Sequence, residues 1–273
     1  MIYHSTRNNQ LRADSAQAVL SGLAPDGGLY VPEKLPKIDV AACLKEDTKS
    51  MAKRIISLLG DTELLVHYLR RGQQAGCVPL SRITDGYPDA VHNRLNVDAP
   101  GCLWAKGNLS LLNQPAVALV GSRDIDAQNL CFAREVGRQA ARQGFVLVSG
   151  NARGADRAAQ EGCLTEGGNV ICVVADELER HSLKGNVLYL SEDGFDLPFS
   201  GQRALSRNRV IHCMGLRTFV AQSDCQKGGT WDGTVKNLRF GWSPVYCYDD
   251  GSGHLKGPNG EMRYHYDLMA CHG

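Results

Sequence analysis

Val117-Ala-Leu-Val-Gly-Ser-Arg123 and Val146-Leu-Val-Ser-Gly-Asn-Ala-Arg-Gly-Ala-Asp156 are the two stretches on which the fold turns. Each opens with a short aliphatic, β-branched run and then empties into small residues that carry an arginine. Such a run reads as a strand buried on both faces of a parallel sheet. A strand that ends in a Gly/Ser turn at a helix N-terminus presents outward-pointing backbone N–H groups. The helix dipole adds positive potential at the same place. Two such turns in tandem predict a sheet edge that holds phosphate.

Working outward, strand-like runs recur at Ala116–Val120, Phe145–Ser149, Asn169–Val174, Val187–Leu190, Thr218–Ala221 and Pro244–Tyr248, and helical patterns fill the gaps. Asp126 stands where a helix N-cap belongs, Phe132, Val136 and Ala140 follow at helical spacing, and Gly144 closes the pattern. Arg134, Arg138 and Arg142 take another face of that helix. A second helix is expected from about Ala155 to Thr165, stopped by Gly167-Gly168. Strands alternating with helices of this length predict an α/β fold with a doubly wound, mostly parallel sheet. The right-handed crossover rule then puts both opening turns on the carboxyl edge. Upstream, Ile55, Ile56, Leu58 and Leu59, then Leu64, Leu65, Tyr68 and Leu69, predict a small helical lead-in parted at Gly60-Asp61. The segment from Ile83 through Pro100 is turn-rich, and Cys102–Gly107 reads as a short strand and turn. The Gly- and His-rich tail from Gly251 is expected to be loosely ordered.

Bulk properties narrow the class. The chain has 273 residues, 43% hydrophobic and 22% charged, as in an ordinary globular protein. No apolar run approaches the roughly 20 residues that span a bilayer, and the first residues lack the apolar core of a secretory signal. The expectation is a cytoplasmic protein without membrane contact. A net charge of +1 offers no global basic field, so any nucleic-acid contact must rest on a local basic groove. The ten cysteines form no CxxC pair and no zinc spacing, which points to reduced, mostly buried thiols and no metal. Cys131, Cys163 and Cys172 fall where helix or strand interiors are expected.

The chemistry-bearing motifs all read as anion sites. Ser122 offers a hydroxyl and Arg123 a bidentate grip beside Gly121. In Ser149-Gly-Asn-Ala-Arg-Gly-Ala-Asp156, Gly150 and Gly154 permit close backbone approach, Arg153 can reach a ligand, and Asp156 can cap the helix or orient an arginine. Either turn is also explained as plain helix–sheet packing. Arg203-Ala-Leu-Ser-Arg-Asn-Arg209 crowds three guanidiniums, which require an anion or a salt-bridge network with Glu192, Asp193 and Asp196. Lys227-Gly-Gly-Thr-Trp-Asp-Gly-Thr234 is a third glycine-rich turn opening a helix; Trp231 offers either a nucleobase stacking face or core filling. His181 and His212 stand alone, with no nucleophile–base pair in view. A Walker A lysine motif and G-x-G-x-x-G are both absent, so neither a P-loop nor a dinucleotide cofactor is implied.

Tyr87-Pro88, Ala99-Pro-Gly-Cys-Leu-Trp-Ala-Lys-Gly107, Val120-Gly-Ser-Arg123, Ser149–Asp156 and Ser206-Arg-Asn-Arg-Val-Ile211 occur in that order. The series resembles the DNA-processing protein A (DprA, or Smf) family over roughly residues 50–250. The resemblance implies an extended Rossmann-like fold, a homodimer, single-stranded DNA binding, and loading of the RecA recombinase in natural transformation, with no catalysis and no cofactor. It places the DNA phosphate at Gly121, Ser122, Arg123, Ser149, Gly150, Arg153, Arg207, Asn208, Arg209, Lys227, Gly228, Gly229 and Thr230. The third turn departs from the family's Ser-Gly-Ser and is similar to the Gly-Gly-x-Gly-Thr loop of the lysine decarboxylase-like (LOG) nucleotide hydrolases. That turn and the near-neutral charge make a nucleotide sensor or N-glycosidic hydrolase the alternative, but the glutamate those enzymes carry soon afterwards is replaced by Val235, Lys236 and Asn237, which argues against hydrolysis. Met1-Ile-Tyr-His-Ser-Thr-Arg-Asn-Asn9 and Ala18–Pro32 resemble the opening of threonine synthase, whose pyridoxal phosphate body has no counterpart downstream. The expected domains are a threonine-synthase-like fragment over 1–40, a helical and turn-rich lead-in over 41–110, the Rossmann-like domain over 111–250, and a tail over 251–273.

Overall fold

The computed structural model describes residues 1–15, 17, 18, 24–34 and 62–248. The expected helix around Ile55–Leu59 and the tail from Gly251 lie outside the described residues. The chain divides into two compact units, Met1–Ala75 and Gly76–Gly273.

The first unit carries a three-stranded antiparallel sheet. β1 (Ile2–Ser5) lies between β2 (Arg12–Asp14) and β3 (Tyr30–Pro32). The segment before β3 folds back onto the end of β1. The Ser5 hydroxyl, fully buried, donates to the Asp26 carboxylate at 2.8 Å, and the Gly28 amide donates to the same carboxylate at 2.9 Å. Ser5 and Ala24–Pro32 are thus one structural motif. The unit also holds helix α1 (Thr62–Gln74), over the stretch where Leu64, Leu65, Tyr68 and Leu69 predict one.

The second unit is built on an eight-stranded sheet. Its strands are β4 (Val78–Ser81), β5 (Cys102–Gly107), β6 (Ala116–Val120), β7 (Val146–Ser149), β8 (Val170–Val173), β9 (Val187–Ser191), β10 (Thr218–Val220) and β11 (Val245–Cys247). They lie in the order β11-β10-β6-β7-β8-β9-β5-β4. The pairs from β11 through β9 are parallel, and β5 and β4 extend the sheet in antiparallel pairing. The chain steps outward from β6 to β9 and then returns to lay β10 on the other side of β6. That reversal makes the β6/β10 boundary the topological switch point, where the carboxyl ends of the strands open a crevice.

The helices follow from the strand pattern. In β6, Ala116, Ala118 and Val120 enter a core cluster with Val210 and Ile211, while the alternate residues Val117 and Leu119 are fully buried on the opposite face. Helices α3 (Ala127–Arg142) and α4 (Ala155–Thr165) are the crossovers after β6 and β7 and pack on each other. Asp126 caps α3 by accepting from the Asn129 amide at 2.9 Å, and Gly144 leaves it at φ +75°. Arg134, Arg138 and Arg142 join Glu135, Glu161 and Glu166 in an ion-pair lattice along this helix pair. Helices α5 (Gly201–Ser206), α6 (Asn208–Met214) and α7 (Gly228–Phe240) connect β9 to β10 and β10 to β11. The turn-rich segment before β5 also contains a helix, α2 (Asp89–Leu95), which packs on α6. Its two ends are tied: the Tyr87 hydroxyl donates to the Pro100 carbonyl at 2.8 Å, and Arg82 donates to the carbonyls of Val97 and Ala99. Burial pushes the Tyr87 hydroxyl up to about 12.

No disulfide joins the described cysteines. Cys77, Cys163, Cys172, Cys213 and Cys247 are buried, but Cys131 is on the outer side of α3 and exposed, against its expected interior position. No helix among the described residues is long and apolar enough to cross a membrane.

Candidate functional site

The three glycine-rich turns meet at the switch point. Gly121–Arg123 leaves β6, Ala152–Asp156 leads from β7 into α4, and Lys227–Thr230 opens α7. They border one cleft of about 470 Å³, closed on another side by Phe199, Leu205, Arg207 and Asn208. The first two turns are in direct contact. The Ala155 amide donates to the Ser122 carbonyl at 3.2 Å. Gly154, at φ +86°, lies so close that a Cβ there would sit 2.5 Å from the carbonyl oxygens of Ser122 and Arg123. This glycine therefore serves the packing of turn on turn.

The second turn does not offer its amides to a ligand. Gly150 N–H and Ala152 N–H both donate to Asp156 Oδ2 at 3.1 Å. The carboxylate of Asp156, only 6% exposed, is a resident anion in the cradle that the sequence marked for phosphate. Burial raises its carboxyl above the ordinary value, while Arg207 and the two amides pull it back toward the charged form. Ser149 is deeper still: its buried hydroxyl accepts from Gln160 Nε2 at 2.6 Å. Ser149 and Gly150 support the site from below and do not line it.

Of the three clustered arginines, carboxylates claim two. Arg203 pairs with Asp193 at 2.8 Å and donates to the carbonyls of Ala175, Leu197 and Pro198. Arg209 pairs with Glu192 at 3.0 Å, and Ser206 donates to the same carboxylate. Two short helices meet at Arg207, which ends α5 and stands at the N-cap position of α6. Arg207 is 6% exposed and lines the cleft, yet its Nε has no hydrogen-bond partner among the described residues. Its guanidinium lies flat against Gly150, where any Cβ would fall 1.6 Å from Nη1. Burial lowers its pKa and Asp156 is the main opposing influence. A buried guanidinium with unused donors is a strong anion ligand, because the protein has already met its desolvation cost.

The remaining predicted residues divide between cleft and rim. Arg123 is exposed and its guanidinium lies over the Phe199 ring, 5.5 Å from the centroid. Arg153 is spent on Asp124 at the rim, at 2.5 Å. Asn208 anchors the third turn by donating to the Gly229 carbonyl at 2.9 Å. Lys227 is the N-cap of α7 and gives no side-chain cap, so the first amides of a 13-residue helix face the cleft without one. Trp231 packs against the core cluster, which settles it as a packing residue.

Sequence reasoning overlooked Phe199, which is 54% exposed at the cleft wall, and Ser223, whose buried hydroxyl there lacks a partner among the described residues. An aromatic between Pro198 and the helix cap Ser200 was the available signal for Phe199. A larger recess, about 780 Å³, opens beside the amino end of β6, but its arginine, Arg82, is bound to backbone carbonyls. Charge, not size, marks the smaller cleft as the site.

The sequence model of the DNA recombination-mediator protein A family matches residues 80–237. The chain belongs to this family. Relatives in the family include DNA processing protein DprA of Streptococcus pneumoniae, 35% identical over 48% of this chain and 50% of that protein. Protein Smf of Escherichia coli is 28% identical over 48% of this chain and 38% of that one. The chain spans about half the length, or less, of these relatives. In structure, DprA from S. pneumoniae superposes with a TM-score of 0.61 at 24% identity, covering 85% of this chain and 89% of that one. DNA processing protein A from Helicobacter pylori, whose structure describes that protein's single-stranded DNA binding mode, gives 0.52 at 23% identity, over 63% and 80%. These superpositions agree with a Rossmann-like fold. Residues 2–71 match a different family, the threonine synthase N terminus. There, threonine synthase-like 2 of Rattus norvegicus is 40% identical over 24% of this chain and 14% of that protein.

Proposed function

We propose that this chain binds single-stranded DNA, holding a backbone phosphate in the β6/β10 cleft. The observation that carries the reading is Arg207: a buried guanidinium with an unpartnered Nε at the carboxyl edge of a parallel sheet. Arg123, Lys227 and the N-terminus of α7 add positive potential on the open side. Phe199 supplies an exposed ring for a base next to the held phosphate. The family supports the same reading, as does the H. pylori relative described with single-stranded DNA.

The role proposed is binding without catalysis. The ionisable groups lining the cleft are arginine, lysine and aspartate, with no histidine or cysteine set beside a base. A homodimer, transfer of the strand to a RecA-type recombinase, and a cytoplasmic setting complete the proposal on the strength of the family alone. Residues 1–40, within the stretch 2–71 that matches the threonine synthase N terminus, are read as an appended threonine-synthase-like segment.

Fluorescence anisotropy with a labelled dT oligonucleotide tests the reading against a duplex of equal length and against nucleoside monophosphates. Single-stranded DNA should bind most tightly, with affinity falling as salt rises. Equal affinity for the duplex, or release of free base from a nucleotide, would overturn it.

A further inference from the structure

The charges around the cleft do not simply sum to a basic hole. Arg123, Arg207 and Lys227 face Asp124, Asp156 and Asp224. Arg153 cancels Asp124 at the rim. Three cations then stand against Asp156 and Asp224, an excess of one positive charge, to which the α7 N-terminus adds roughly half a charge. Asp156 is the carboxylate fixed in place beside Arg207. Its carboxylate is held by two backbone N–H donors, buried, and beside the guanidinium that would grip a ligand. Any ligand oxygen that reaches Arg207 therefore shares that guanidinium with a fixed anion.

Resting on the phosphate-binding reading above, we infer that Asp156 is a specificity-determining residue: it sets the cleft to accept a singly charged phosphodiester and to disfavour a doubly charged phosphomonoester. A linkage inside a strand carries one negative charge; a terminal phosphate or a free nucleotide carries about −1.5 to −2 at neutral pH. The second charge of a monoester also faces Asp156, which two backbone amides hold in place. The cleft thus favours the interior of a DNA strand over its phosphorylated end and over mononucleotides.

The test uses the full chain and two ligands that differ by one charge, thymidine 5′-monophosphate and its methyl ester, compared by thermal shift at equal concentration near pH 8. At that pH a phosphomonoester carries its second charge and the methyl ester carries one. The diester should bind roughly tenfold more tightly; an unscreened contact at about 4 Å would give far more, and solvent in the open cleft screens it. Asp156→Asn should erase or reverse that preference by raising affinity for the monoester. A monoester that binds the unaltered protein as well as the diester overturns the inference. So does an Asp156→Asn protein that loses both ligands equally, as expected if Asp156 only steadied Arg207. If that variant does not fold, the two-ligand comparison on the unaltered protein decides alone. A labelled strand that binds while the monoester wins refutes the charge rule but spares the DNA reading. A strand that fails to bind while the monoester wins refutes both.

Discussion

Replacing Arg207 by methionine probes the cleft where its reasoning is most exposed. Methionine keeps much of the length and can lie on Gly150, so the main loss is the charge and its donors. One charge-assisted hydrogen bond to a phosphate is worth about 1.5–3 kcal/mol, which corresponds to roughly 10- to 100-fold weaker binding. The slope of log affinity against log salt should also become shallower by about 0.7, the share of one neutralised phosphate on a single strand. Arg209→Met is the matched control from the same motif. Its guanidinium is bound to Glu192, whose side chain is 6% exposed, and it does not line the cleft. Removing it should leave affinity and salt slope near their starting values and lower stability by about 2 kcal/mol, through a buried carboxylate deprived of its partner. Anisotropy with a labelled dT oligonucleotide across a salt series, together with a melting curve for each variant, reads both effects. If Arg209→Met weakens binding as much as Arg207→Met, or if Arg207→Met leaves the salt slope unchanged, the division of labour drawn from the structure is wrong.

Two further outcomes are expected. Phe199→Ala should weaken binding of the same strand by about 1–3 kcal/mol without altering the salt slope, since stacking carries no counterion release; a change in slope with intact affinity would count against a stacking role. His212 is fully buried, and burial pulls its pKa from 6.5 down to about 3. The unfolded ring takes a proton near pH 6.5 and the folded ring does not, so stability is whole above that pH and falls by about 1.4 kcal/mol per pH unit below it, down to the folded pKa. Urea unfolding between neutral and mildly acidic pH should show that slope, and a His212→Gln variant with the same slope would assign the loss elsewhere.

Much of the second unit was legible because its signals are local. Runs such as Val117–Val120 and Val146–Ser149 are apolar at every position, as strands covered on both faces must be, and Asp126 and Gly144 carry the start and stop of α3 in their own side chains. The missed helix α2 lies among prolines and turn residues whose local preferences mask a short element; its order comes from packing on α6 and from Tyr87 and Arg82 reaching distant carbonyls. The antiparallel addition of β5 and β4 was likewise invisible, since pairing direction depends on where the chain returns and not on the composition of the strand.

The site shows the same division more sharply. By itself the sequence determined that arginines, glycines and hydroxyls would gather at the carboxyl edge of a parallel sheet, because strand-to-helix turns and right-handed crossovers leave few alternatives. It did not determine which groups remain free to bind. Arg203, Arg207 and Arg209 are alike in a string of letters, and Glu192 and Asp193 lie 10 to 17 residues upstream of all three. Only the tertiary structure, by joining two short helices at Arg207 and seating its guanidinium on Gly150, left that one without a direct carboxylate partner. In the same way only folding could reveal that the second turn closes its amides on Asp156. Hydrogen bonding and charge pairing are decided by distances of a few ångströms between segments far apart in the chain, and those distances are properties of the packed molecule.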